Sequence, residues 1–156
     1  MTAKAPAAPV AGQVCPPRAY SHSRVQLFRF SAVSWNAHRI HYDAEFAASE
    51  GFADVVVQST LHGEMLGRYA LEWAGPGARL TSVSRRNRAT AVAGEPLTWT
   101  GTVHTAEPCD GGVRVTLDVS VFKDDGAPCV TGQVGLTWRA ARTSPSAESS
   151  AGRATS

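Results

Sequence analysis

Residues 60–77 read TLHGEMLGRYALEWAGPG. Leu61, Met65, Leu66, Tyr69, Ala70 and Trp73 recur at spacings of three and four, the period that gathers side chains on one face of an α-helix. Glu64, Arg68 and Glu72 fall on the opposite face, and Gly75-Pro76-Gly77 ends the pattern. The spacing predicts a helix from about Thr60 to Trp73 with an apolar stripe that something else must cover. Met65 and the aromatic residues read as core, not as a cofactor site.

The cover comes from the sequence that follows. Leu80–Arg88, Leu97–Thr105, Gly112–Lys123 and Ala127–Arg139 read as strands. In VRVTLDVSVF, Val113, Val115, Leu117, Val119 and Val121 alternate onto one face. Asp110-Gly111-Gly112 and Asp124-Asp125-Gly126 are hairpin turn signals. A long antiparallel meander after an amphipathic helix predicts an α+β fold, a curved antiparallel sheet wrapped around one buried helix.

Upstream, Val25–Ser31 alternates well enough for a strand. Asp43–Gly51 reads as a short helix: Asp43 can accept from the first amides, Glu45 suits the positive end, and Gly51 can take the left-handed stop. Asp54–Val57 is a short apolar run. Residues 1–23 are rich in Ala and Pro without periodicity and predict a disordered N-terminal tail. Residues 24–140 form the single domain, and 141–156, small and polar, a disordered C-terminal tail.

Composition narrows the function. The chain has 156 residues and a net charge of +2 at pH 7, enough for one real core and too little charge to argue for nucleic acid as partner. The basic run Arg85-Arg86-Asn87-Arg88 is short; its plain reading is a solvated strand end, its functional one a patch for an anionic small molecule such as a nucleotide-bearing thioester. No apolar run reaches membrane-spanning length, and the N-terminus lacks a signal-type apolar region. Cys15, Cys109 and Cys129 are an odd set without a C-x-x-C pair, which predicts reduced thiols and a cytoplasmic setting.

Chemistry concentrates in two segments. The first is FSAVSWNAHRIHYD, residues 30–43. His38 and His41 lie between a strand-like run and a helix start, where functional groups often gather, and histidine exchanges protons near neutral pH. Asn36 lies five residues before His41. Both histidines could equally be loop-shaping hydrogen-bonding residues. A metal needs at least three ligands; His38 and His41 supply two, Asp43 or His62 has no fixed geometry to add another, and no metal or other cofactor is expected. The second segment is VVVQSTLHG, residues 55–63. Here the first amides of the central helix are donors without intrahelical partners and can hold an anionic oxygen. Ser59 or Thr60 could also be an ordinary N-cap.

Together the two segments resemble the MaoC-like hydratase/dehydratase family of the hot-dog fold, in particular type 2 hydroxyacyl-thioester dehydratases and mesaconyl-CoA hydratase-like proteins. Residues 35–43, WNAHRIHYD, are similar to a family phrase F-N-x-H-R-I-H-Y-D almost throughout. The stretch from His41 to Val103, including RYALEWAGPGA, is similar to small MaoC-like subunits of actinobacterial steroid side-chain degradation. The resemblance covers about residues 25–139. It implies a sheet-wrapped helix, sheets joined edge to edge in a dimer, and an acyl-CoA or acyl-carrier-protein thioester bound near the interface. The implied chemistry is addition of water to a trans-2-enoyl thioester, or its reverse.

Laid on the family motif, the catalytic His falls on His41 and the catalytic Asp position on Asn36. His38 and Arg39 take the positions of the motif's Asn and Pro, and the family's His-Gly falls on Gln58-Ser59. The resemblance thus implies His41 as acid–base group, Asn36 as water-positioning amide and the Ser59 backbone amide as oxyanion donor. His38, Arg39, Gln58, Thr60, Arg86 and Arg88 are expected to contact substrate. A homodimer is expected, or a heteromer with another hot-dog subunit; thioester hydrolysis, amine addition and a non-catalytic subunit remain alternatives. Asn36 cannot carry a proton as Asp can, though it can orient water, and Gln58-Ser59 changes the pocket wall.

Overall fold

A computed structural model describes residues 9–139. Along the chain run β1 (Val14–Tyr20), α1 (Arg24–Val33), a single 3-10 turn (Arg39–His41), α2 (Ala44–Ser49), α3 (Ser59–Ala74), β2 (Ala78–Asn87), β3 (Leu97–Cys109), β4 (Gly112–Lys123) and β5 (Pro128–Arg139). The five strands make one antiparallel sheet in the order β1-β3-β4-β5-β2. Helix α3 packs into its concave side, so the sheet-around-helix expectation holds. Leu61, Leu66, Tyr69 and Ala70 of α3 meet Trp99, Val103, Val115, Leu117, Val119 and Val134 of the sheet in one buried cluster. Glu64, Arg68 and Glu72 are exposed, as the helical period requires.

Three expectations need correction. Residues 14–20 lie within the stretch read as a tail, yet they form β1. Pro16 and Pro17 argue against a strand, but β1 is an edge and its register shifts between Cys15 and Arg18, where missing N–H groups are tolerated. Cys15 is fully buried against Tyr69 and Gly101, and the Tyr69 hydroxyl donates to the Pro16 carbonyl at 3.0 Å. Residues 1–8 and 140–156, the remainder of the expected tails, lie outside the described residues.

The Val25–Ser31 strand is instead helix α1. The Ser23 hydroxyl caps it by accepting from the Gln26 amide at 3.2 Å. Its two fully covered positions, Leu27 and Ser31, are four residues apart, a narrow stripe that period-two reading cannot separate from a strand. Tertiary contact decides the matter: Gln58 Nε2 donates to the Leu27 carbonyl at 2.8 Å and to the Ser31 hydroxyl at 2.9 Å.

The meander is also incomplete. β3, β4 and β5 are joined by tight turns, with Gly111 and Gly126 at positive φ, but β2 pairs with β5 on the far edge. Residues 88–96 must therefore cross from one edge of the sheet towards the other. They pass the N-terminus of α3, where the Val57 amide donates to the Ala91 carbonyl at 2.9 Å and the Ala93 amide to the Val55 carbonyl at 2.9 Å. This crossing segment becomes one wall of the site. It is fastened at its end by Lys123 to Glu95 at 2.9 Å and by the Gly94 amide to the His22 carbonyl at 2.8 Å.

Candidate active site

Asp43 organises the loop that carries the histidines. Its carboxylate caps α2 by accepting from the Phe46 amide at 3.0 Å, and it pairs with Arg39 at 2.6 Å. The Phe46 amide first, and the Arg39 guanidinium second, hold the Asp43 carboxyl below its usual range. Arg39 also lies over the Phe46 ring, 4.6 Å from its centroid. With α2 fixed, the 3-10 turn rotates His41 inward, where 9% of its surface remains accessible.

There the His41 ring meets a carbonyl. Nδ1 lies 2.7 Å from the Val56 oxygen. A carbonyl only accepts, so Nδ1 carries the proton and Nε2 keeps a lone pair. Burial pushes the ring's pKa below its ordinary 6.5; the Val56 bond opposes this and the nearby His38 adds to it. His41 is thereby a neutral imidazole of fixed tautomer near pH 7.

His41 opens on a cleft of roughly 400 Å³. Asn36, Ser59, Thr60 and His62 also line it, with Asn87 at the end of β2 and residues 88–91 of the crossing segment as the far wall. Asn36 is set there by a sharp reversal after α1. Trp35 takes φ +54°, and the Asn36 amide donates back to the Ser31 carbonyl at 2.9 Å. Neither Ser59 nor Thr60 caps α3, contrary to one expectation for them. The N-cap is Gln58, which makes no side-chain cap bond. Its side chain is buried and reaches α1 instead, so the first-turn amides of α3 are left for whatever enters the cleft.

Of the expected contacts other than Thr60 and Arg88, none lines the cleft. His38 is exposed and caps the 3-10 turn, its Nδ1 accepting from the Ile40 amide at 3.4 Å. Arg39 is engaged with Asp43, and Gln58 with α1. Arg86 is exposed on β2 and does not line the cleft, whereas Arg88 does. Arg85 reaches across α3 with its guanidinium 3.5 Å from the Ser59 hydroxyl; a Cβ at Gly63 would come within 3.0 Å of it.

His62, weighed from the sequence only as a possible metal ligand, has a different place in the structure. It shares the helical period of Leu66 and Tyr69, and the structure buries it at the back of the cleft. Burial, with His22 and Arg85 beside it, drives its pKa down to about 4. Its Nε2 faces Cys129 Sγ at 4.0 Å, and its Nδ1 finds no partner among the described residues.

Residues 2–93 match the family described as hydroxyacyl-thioester dehydratase type 2. The chain belongs to that family. A segment of 41 residues is 51% identical to mesaconyl-C(4)-CoA hydratase of Chloroflexus aurantiacus, covering 26% of this chain and 15% of that relative. The chain thus spans a small part of the curated relative it matches. Among solved structures, the ChsH1–ChsH2 complex from Mycobacterium tuberculosis matches with a TM-score of 0.73 at 26% identity, covering 83% of this chain and 98% of that one. The (R)-hydratase from A. caviae involved in PHA biosynthesis matches with a TM-score of 0.71 at 24% identity, over 82% and 96% of the two chains. The HadBC 3R-hydroxyacyl-ACP dehydratase complex from M. tuberculosis gives 0.72 at 18% identity, over 83% and 97%.

This dehydratase-family chain accordingly has the hot-dog fold of those structures. Among its described residues no helix is long and apolar enough to cross a membrane.

Proposed function

We propose that the chain hydrates trans-2-enoyl thioesters, or dehydrates 3-hydroxyacyl thioesters in reverse. The observation that carries this reading is His41: a neutral imidazole with its Nδ1 proton committed to Val56, in one cleft with Asn36 and the uncapped start of α3. Asn36 holds a water with its amide. His41 Nε2 removes a proton from that water as oxygen bonds to the β-carbon of the enoyl group. The π electrons move through the α-carbon onto the thioester oxygen, where the Ser59 amide, at the positive end of α3, stabilises the charge. The imidazolium then returns its proton to the α-carbon, giving the 3-hydroxyacyl thioester with no net change in the protein.

Arg88, on the cleft wall, and Arg85 and Arg86 beside it supply positive charge for the phosphates of coenzyme A or of a carrier-protein pantetheine arm. The three cysteines are free, which fits a reducing compartment such as the cytoplasm. A two-chain assembly would use β2. That edge runs ten residues without proline, whereas the β1 edge is blunted by Pro16 and Pro17. The partner is a second copy or another hot-dog chain.

Incubation with a panel of trans-2-enoyl-CoA compounds, read by mass spectrometry, tests the reading. A gain of one water with the thioester intact is the expected result. Release of free CoA would replace it with thioester hydrolysis, and capture of an added amine with Michael addition. Asn36 in place of a carboxylate favours one second reading, a non-catalytic subunit that completes a heteromeric site. Activity that appears only with a second hot-dog chain would decide for it.

A further inference from the structure

Beside the cleft lies a second cavity of a different kind. It measures roughly 260 Å³ and is walled by Phe28, Ala32, Trp35 and Tyr42. Asn36 belongs to both cavities, so the two adjoin at that residue. Trp35 is 91% exposed, Phe28 58% and Tyr42 38%, an apolar concentration that water does not favour. The surface is also held in place. Phe28 and Tyr42 meet edge to face with centroids 6.3 Å apart, and the Tyr42 hydroxyl donates to the Ala37 carbonyl at 2.9 Å. Trp35 sits at φ +54°, the only described non-glycine residue with positive φ. A bulky side chain is held there at a cost in backbone strain while its indole gains almost no burial within the chain.

The two cavities give the cleft a direction. Arg88 and the first residues of α3 line the cleft together with His41, and Asn36 is the residue it shares with the aromatic shelf. An enoyl thioester has the same order: anionic carrier, carbonyl, α-carbon, β-carbon, then the acyl substituent. With the carbonyl at Ser59 and the β-carbon at His41 and Asn36, the substituent leaves past Asn36. From this continuity we infer that the Phe28–Trp35–Tyr42 shelf receives the acyl substituent and that the substrate class is thioesters with a bulky apolar or aromatic group beyond the β-carbon. The inference rests on the thioester reading of the cleft and deepens it.

Binding of saturated thioesters tests it without turnover. Butanoyl-CoA and 3-phenylpropanoyl-CoA share carrier, carbonyl and α- and β-carbons, and differ in what lies beyond them. Isothermal titration of the full-length chain is expected to give at least about ten-fold tighter binding of the phenyl compound, since each buried methylene is worth roughly four-fold. Trp35→Gly, which suits the positive φ, and Phe28→Ala remove exposed side chains and should each shrink that preference several-fold. Equal affinities in the wild-type chain, no binding of either compound, or a preference untouched by both substitutions would overturn the inference. So would a change of oligomeric state by sedimentation in Trp35→Gly with affinities unmoved, because the shelf would then be a protein interface. Hydration by the wild-type chain is scored separately. A preference without hydration sinks the hydratase reading alone, and hydration without a preference sinks the shelf alone.

Discussion

His41 and Val56 are joined by a 2.7 Å hydrogen bond from the ring Nδ1 to the backbone carbonyl. The same Val56 donates its amide to the Ile40 carbonyl at 2.8 Å, so the loop bearing His41 is stitched on both sides to the strand-like run before α3. Replacing His41 by a side chain that keeps a donor towards Val56 should separate chemistry from stability. His41→Asn, whose side-chain amide keeps a donor towards the Val56 carbonyl, is expected to lower kcat for hydration by about 10² to 10⁴ while circular dichroism and thermal unfolding remain close to wild type. Wild-type turnover in that variant would remove His41 from the mechanism.

The pH dependence follows from the direction of the His41 shift. A base must be neutral, and burial keeps this ring neutral below its ordinary 6.5. The acid limb of kcat/KM should therefore lie below pH 6.5. His38 contributes to the lowering through charge repulsion. His38→Asn keeps an acceptor at the cap of the 3-10 turn and removes that repulsion, so its acid limb should move upward. A limb that stays put or moves down would show that His38 does not act on His41.

Gln58 bolts α1 to the start of α3 through two buried bonds. Gln58→Glu keeps the volume and removes the donor. The loss should exceed about 2 kcal/mol, read as a fall in Tm of roughly 5 °C or more for a domain of this size. Because α1 also delivers Asn36, catalysis should fall with stability. An unchanged Tm would mean that α1 is held by other contacts.

His62 should make the protein acid-sensitive. Its folded pKa of about 4 lies below the ordinary 6.5, so the unfolded chain takes up the proton first. Its contribution is fully present above pH 6.5 and is lost as pH falls towards 4, at up to about 1.4 kcal/mol per pH unit. Burial lowers His22 as well, in the same direction. Urea midpoints at pH 7.5, 6 and 5 should fall less steeply in His62→Met than in the wild type. Equal slopes would show that His62 is protonated in the folded state.

Local signals carried much of the fold. The three-and-four spacing of α3, the alternation in β4, the Asp-Gly turns and the Asp43 cap are each written in residues a few positions apart, so they were legible before any long-range contact was known. The phrase WNAHRIHYD likewise marked Asn36 and His41, since a loop motif is written in contiguous residues.

Tertiary structure decided what contiguous residues cannot encode. β1 exists because β3 offers an edge and Tyr69 covers Cys15, a benefit that Pro16 and Pro17 hide in the sequence. α1 is a helix because Gln58, some thirty residues later, bonds its inner face. The tautomer of His41 depends on Val56, the burial of His62 on the sheet behind it, and the far wall of the cleft on β2 pairing with β5 instead of β3. Each of these is a hydrogen bond or a buried surface between distant segments, and its energy is realised only when the chain brings those segments together.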